Sequence, residues 1–229
     1  VSDLIWGRLG LTVLVSFATL VVTWLISFPV GIFSAVKQYS AGDYIFTILG
    51  FLGVATPNFL IALVLMVLTY VYLGESVGGL FSPEYVDAPW TWARVVDLLK
   101  HLWIPLVVLG TSGTASLIRV MRANLLDEME KPYVTTARAK GQREFVLLMR
   151  YPVRAALNPF VSTVGWTLPS LVSGSTIVAV VLNLPMVGPL MLGALISQDM
   201  YLAGSFILML SVLTVIGTLL SDILLAWLD

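Results

Sequence analysis

Few side chains in this sequence have the type and spacing to do chemistry, and most of them fall in one stretch. Tyr133-Val134-Thr135-Thr136-Ala137-Arg138-Ala139-Lys140-Gly141 is polar and basic, and it lies between segments apolar enough for a bilayer. The chemistry on offer is recognition. Arg138, Lys140 and Arg143 project charge, while Ala137, Ala139 and Gly141 are small enough to let another surface come close. Phe145, Val146, Leu148 and Met149 supply an apolar side, so Thr135–Arg150 has the pattern of a short amphipathic helix. Gly141 inside an exposed helix costs about 1 kcal/mol against Ala, which predicts a break, a bend or a close contact at that point.

Bond-making chemistry is poorly served. There is no cysteine, which excludes disulfides, thiolate metal sites and cysteine catalysis. A single histidine, His101, rules out a His-rich metal site within the chain. A serine with His101 is the one conceivable catalytic dyad, but no oriented third group accompanies it. His101, beside Lys100, reads as an ordinary residue of the membrane interface. No Gly-x-x-x-x-Gly-Lys-Ser/Thr phosphate loop occurs. The chain therefore has no ATPase site of its own, and any work it does draws on another protein. No catalytic residue and no metal ligand is assigned.

These residues must be positioned by elements suited to lipid. Of the 229 residues, 59% are hydrophobic and 11% charged, against about 25% charged in soluble domains. That leaves too little polar surface to cover a water-soluble globule. A helix crosses the hydrocarbon core in about 20 residues, and five such segments are legible: Leu9–Val36, Tyr44–Leu73, Leu99–Met121, Pro159–Leu182 and Leu202–Leu228. None carries a charge near its midpoint, which disfavours an ion-coupled carrier. Pro29, Pro57 and Pro105 fit as tolerated kinks. The fold class is all-α, a polytopic transmembrane helical bundle.

Charge asymmetry sets the expected orientation. Eight of the 12 Lys and Arg residues lie between Arg119 and Arg154, so this loop is expected inside. Lys37 joins it, and Arg8, Arg94 and Lys100 fall outside. The start of the chain is then outside and Asp229 inside. An outside start without a basic leader predicts one further N-terminal span missing from the sequence as given. Lys37–Asp43 reads as a tight inner turn, and Gly74–Pro89 as an outer loop. Trp90, Trp92 and Trp103 suit the headgroup layer. The run Leu184-Pro185-Met186-Val187-Gly188-Pro189 is expected to form a turn or shallow cap on the outer face.

Three motifs together carry a resemblance: Arg119-Val120-Met121-Arg122, then Tyr133 to Gly141, then Arg154-Ala155-Ala156-Leu157-Asn158-Pro159. They resemble the signature loop of membrane permeases of binding-protein-dependent ABC importers, in the oligopeptide/dipeptide/nickel branch. Ala55-Thr56-Pro57-Asn58-Phe59 and Leu184-Pro185-Met186-Val187-Gly188 extend the likeness over nearly the whole chain. The resemblance implies a type I ABC importer permease fold, a single permease domain over residues 1–229, and a cytoplasmic coupling loop over 122–158. It implies that Tyr133, Thr135, Thr136, Ala137, Arg138, Ala139, Lys140, Gly141 and Glu144 meet a cytoplasmic ATPase. The general importer pattern Glu-Ala-Ala-x-x-x-Gly falls on Thr135, Thr136, Ala137 and Gly141, without its Glu. Tyr151 and Ala155 stand where the branch often has His and Asn. Members have one more span than the five read here.

The implied partners are a second, related permease, two ATPase subunits that hold ATP and magnesium, an extracytoplasmic substrate-binding protein and the lipid of the inner (plasma) membrane. This chain would bind no cofactor and no nucleic acid. The implied substrate is a peptide, with nickel complexes and short oligosaccharides as alternatives. Small residues cluster in the fourth span: Gly165, Pro169, Ser170, Ser173 and Gly174. They fit close helix packing and, compatibly, the lining of a pathway. The competing functions are a self-sufficient carrier or channel and an intramembrane enzyme.

Overall fold

The computed structural model describes residues 2–74, 78–86, 88–162, 169–170 and 176–228, and among these every regular element is helical. Three helices are long and apolar enough to cross a bilayer: α1 (Ser2–Val36), α4 (Trp92–Met129) and α10 (Met200–Leu228). They coincide with the first, third and fifth expected spans and overrun them. Of the tryptophans expected at the headgroup layer, Trp92 and Trp103 lie in the first turns of α4 and Trp90 just before it. Phe17, Leu25, Ile207, Leu208, Val215 and Trp227 stay exposed. Lipid covers such surfaces at no cost, because hydrocarbon is as apolar as they are.

The second expected span, Tyr44–Leu73, is not a single rod. It divides into α2 (Ala41–Ala55) and α3 (Asn58–Leu73), which meet at 99°. Pro57 stands between them with φ −59° and ψ 133°. The proline ring pushes the preceding Thr56 out of helical geometry, so the segment breaks here instead of kinking. Gly74 closes α3 in a left-handed conformation, its N–H donating to Tyr70 O. Of the fourth expected span, residues 159–162 and 169–170 and the segment α8 (Thr176–Val181) are helical.

The run after Asn183, expected as a turn or shallow cap, is non-helical over residues 184–186 and then enters a further helix, α9 (Val187–Ile196). Gly188 and Pro189 fall in its first turn, where backbone N–H groups have no intrahelical partner and proline is tolerated. The Val187 N–H donates instead to Thr12 Oγ1 at 2.9 Å, and that hydroxyl donates onward to Arg8 O.

The described residues form two compact units, each assembled from three stretches of chain. The first comprises residues 1–22, 56–111 and 168–214. Its core holds Val15, Ala62, Leu80, Ile104, Val108, Leu182 and Met186, with a second cluster around Ile5, Val187, Ala194 and Phe206. The second comprises residues 23–55, 112–167 and 215–229. Ala35, Met121, Leu125, Val153, Ala156 and Phe160 form its core. Within it Gly31 permits α1 to approach α4 closely, because a Cβ there would lie 2.6 Å from Met121 Cβ.

Candidate functional site

The basic stretch lies in the second unit and folds as two short helices joined by an elbow. α4 ends at Met129, Lys131 is extended (φ −69°, ψ 147°), and Pro132 opens α5 (Pro132–Ala139). Proline suits that position because its fixed φ is helical and its missing N–H would have been unpaired. Lys140 and Gly141 end the helix by donating to Thr136 O and Arg138 O. Gly141 has φ +77°, the left-handed region, and turns the chain. Arg143 is extended again, and α6 (Glu144–Arg150) starts with an acid in its first turn, where the helix dipole favours it. After Tyr151, Pro152 opens α7 (Pro152–Ala156). The single amphipathic helix expected over Thr135–Arg150 is thus two helices, broken at the expected glycine.

One face of the elbow is anchored. Val134 and Ala137, three residues apart, bury against Leu147, with Tyr151 beside them. α7 sends Val153 and Ala156 into the cluster of Met121 and Leu125. The other face is open: Tyr133, Thr135, Thr136, Arg138, Ala139, Lys140 and Gly141 are exposed, together with Phe145, Val146 and Met149. Of the residues expected at the contact, Ala137 alone is turned inward, 8% exposed. It supports the helix from beneath, and its neighbours Thr136 and Arg138 face out.

Polar contacts fix the geometry. Arg138 holds Glu144 across the elbow in a two-point pair, Nε to Oε2 at 3.0 Å and a terminal nitrogen to Oε1 at 2.6 Å. These hydrogen bonds hold the Glu144 carboxyl below its ordinary range and raise the Arg138 guanidinium. The pair therefore supports the elbow above the ordinary carboxylate value of 4.5 and is lost as pH falls through the lowered one. At the base of α5, Tyr133 Oη donates to Glu128 Oε2 at 2.6 Å and Lys131 Nζ to Glu128 Oε1 at 2.5 Å. Loss of solvent around the phenol, then the bond to Glu128, push Tyr133 up to about 12. It stays neutral and donating at physiological pH.

A second polar node in the same unit escaped the sequence. Asp43, 2% exposed, accepts Arg122 Nε at 2.8 Å and a terminal nitrogen at 2.9 Å. It also accepts the N–H of Tyr39, which sits at φ 63°. Ser40 Oγ in turn accepts the Asp43 N–H at 3.2 Å. Ser40-Ala41-Gly42-Asp43 is a capping pattern of the S-x-x-acid kind, and that signal was available in the tight turn. The pairing with Arg122, 79 residues away, was not.

The remaining expectations divide. Pro169 is half-buried and Ser170 exposed, while Gly165, Ser173 and Gly174 lie outside the described residues. His101 is half-buried in the first unit, its Nδ1 2.9 Å from Asp97 O, as a structural residue would be. Among the described residues no cluster of three or more His, Asp or Glu could hold a metal.

With this geometry in place, comparison with known proteins is informative. Residues 27–229 match the family described as binding-protein-dependent transport system inner membrane components. The oligopeptide transport system permease protein AppB of Bacillus subtilis is 35% identical over 229 residues, all of this chain and 71% of that protein. A Brucella ovis protein provisionally named a peptide permease is 34% identical over 230 residues, covering 100% of this chain and 70% of its own length. The peptidoglycan transport system permease protein YejB of Agrobacterium fabrum is 29% identical over 236 residues, 100% of this chain and 64% of that protein.

Proposed function

The chain belongs to the family of binding-protein-dependent transport system inner membrane components, and from that premise we propose that it is a permease subunit of an ATP-driven peptide importer whose α5–α6 elbow is held by a cytoplasmic ATPase. The observation that carries this reading is the elbow itself. It has an anchored underside of Val134, Ala137 and Leu147 and an open face of Thr135, Thr136, Arg138 and Lys140. A surface fixed to the core on one side and bare on the other is suited to passing force from a partner into α4 and α7. The names of the relatives support a peptide as cargo.

In this reading the chain forms half of the pathway. A second permease supplies the other half, two ATPase subunits hold ATP and magnesium, and an extracytoplasmic binding protein delivers the peptide. The elbow faces the cytoplasm, so the C-terminus is cytoplasmic and the start of the chain external. Residues 122–158 act as one coupling loop within a permease domain. Pro169 and Ser170 line the pathway together with Gly165, Ser173 and Gly174.

The test is reconstitution of the affinity-purified complex in liposomes. Labelled peptide should enter only with ATP, the ATPase subunits and the binding protein, and this chain alone should move nothing. Uptake driven by an ion gradient without ATPases would favour a self-sufficient carrier instead.

A further inference from the structure

The first unit holds a partly open cavity of about 1160 Å³. Pockets of about 300–1,000 Å³ already take drug-sized ligands, so a short peptide segment fits with room for water. The walls come from α1, α3, α4, α8 and the start of α9, and from the loops at residues 78–86 and 183–185. Apolar surface from Leu11, Phe81 and Trp103 alternates with charge.

Among the described residues the lining holds three Arg or Lys side chains, Arg8, Arg94 and Lys100, against one carboxylate, Asp97. Two of these four are committed. Asp97 is 8% exposed, and its oxygens accept the Ser82 N–H at 2.8 Å and the Ser82 hydroxyl at 2.6 Å. The Arg94 guanidinium donates to the carbonyls of Ala88 and Val86 and stacks 4.6 Å from the ring centroids of both Phe81 and Trp90. It clamps the loop. Arg8 and Lys100 make no side-chain hydrogen bond or ion pair with any described residue, and Lys100 interacts with Asp97 only through space. A recess lined by more cations than carboxylates attracts anions.

We propose that this cavity receives a carboxylate of the peptide in transit, with Arg8 and Lys100 as its counter-charges. The inference rests on the peptide-importer reading and adds a site within the permease itself. The carboxylate comes either from the C-terminus of the peptide or from an acidic side chain.

The natural absence of cysteine makes a direct test available. In the assembled transporter, Val180→Cys on α8 places a single thiol in the cavity wall of this chain. Its modification is followed by mass with a sulfonate-bearing and a trimethylammonium-bearing methanethiosulfonate. The anionic reagent should react faster by on the order of tenfold, the lower end of what a focused field does. R8Q/K100Q should abolish that preference, and the charge-keeping pair R8K/K100R should retain it. Trialanine should slow the reaction. Comparing its C-terminal amide with the amide of Ala-Asp-Ala tells which carboxylate is bound: protection by the latter alone of the two amides assigns the side chain as a source.

A thiol that does not react, or that reacts without charge preference, overturns the site. So does equal protection by trialanine and its amide, or protection by neither trialanine nor the aspartyl peptide. ATP-driven peptide uptake by the same preparation separates these failures from failure of the importer reading: uptake with no carboxylate protection removes the site alone.

Discussion

At Gly141 the demand falls on the backbone and not on the surrounding space. Its φ is +77°, yet a Cβ built there would meet nothing within 4 Å. An L-residue pays roughly 1–2 kcal/mol for that conformation, while Asn visits it more readily. Two substitutions therefore separate two roles. If the turn alone matters, G141N should keep most ATP-driven uptake and G141A should lose more. If a partner closes on the glycine, both should uncouple ATP hydrolysis from uptake while the protein still reaches the membrane. Coupling to the ATPase predicts the second pattern, and full uptake by both variants would count against it. At the other node, D43N should leave Arg122 facing a neutral amide. A fully buried pair broken in this way costs about 3–5 kcal/mol. Arg122 is 26% exposed, so roughly 1–3 kcal/mol is expected here after solvent screening. In detergent, D43N should melt below wild type and D43N/R122Q should recover part of the loss. No recovery would mean that the cost is not that of an orphaned charge.

How much of a helix or loop could be read in advance depends on whether its cause is local. The break at Gly141 was legible because a glycine in an exposed helical pattern is costly by itself. The long spans were legible because apolar runs of that length have few other uses. The 99° bend at Thr56-Pro57 was underestimated: a proline can either kink or end a helix, and the surrounding packing decides which. α9 was missed because Gly188 and Pro189 look like breakers when counted by composition and are harmless in a first turn. Its start is capped by Thr12 Oγ1, 175 residues away, and no local pattern announces that. The elbow likewise depends on Leu147 reaching back under α5. L147A removes the side chain that Val134 and Ala137 pack on, and large-to-small changes of this kind cost about 2–5 kcal/mol. Hydrogen exchange should then speed up across α5 and α6 while α4 amides stay protected. Unchanged exchange in α5 would show that the elbow is held by something other than this cluster.

The molecule presents water with little that a soluble protein would. Apolar side chains stand exposed along α2, α3 and α10, among them Ile48, Phe51, Val67, Tyr72, Leu208 and Val215. Lipid covers such surfaces without cost. Charge is distributed differently: eight of the 12 Lys and Arg residues gather between Arg119 and Arg154, in the stretch that carries the exposed face of the elbow. Both compact units take their residues from the beginning, middle and end of the chain, so no single cut separates them. The central claim is that the open face of the elbow is where an ATPase grips this permease. With no native cysteine to confuse the result, Thr136→Cys carrying a short photocrosslinker can be activated in sealed vesicles of known orientation. A crosslink to a nucleotide-hydrolysing subunit, with Thr136→Cys modified only from the cytoplasmic side, is the result expected. Modification from the external side, or capture of lipid and no ATPase in a complex that still imports peptide, would contradict it.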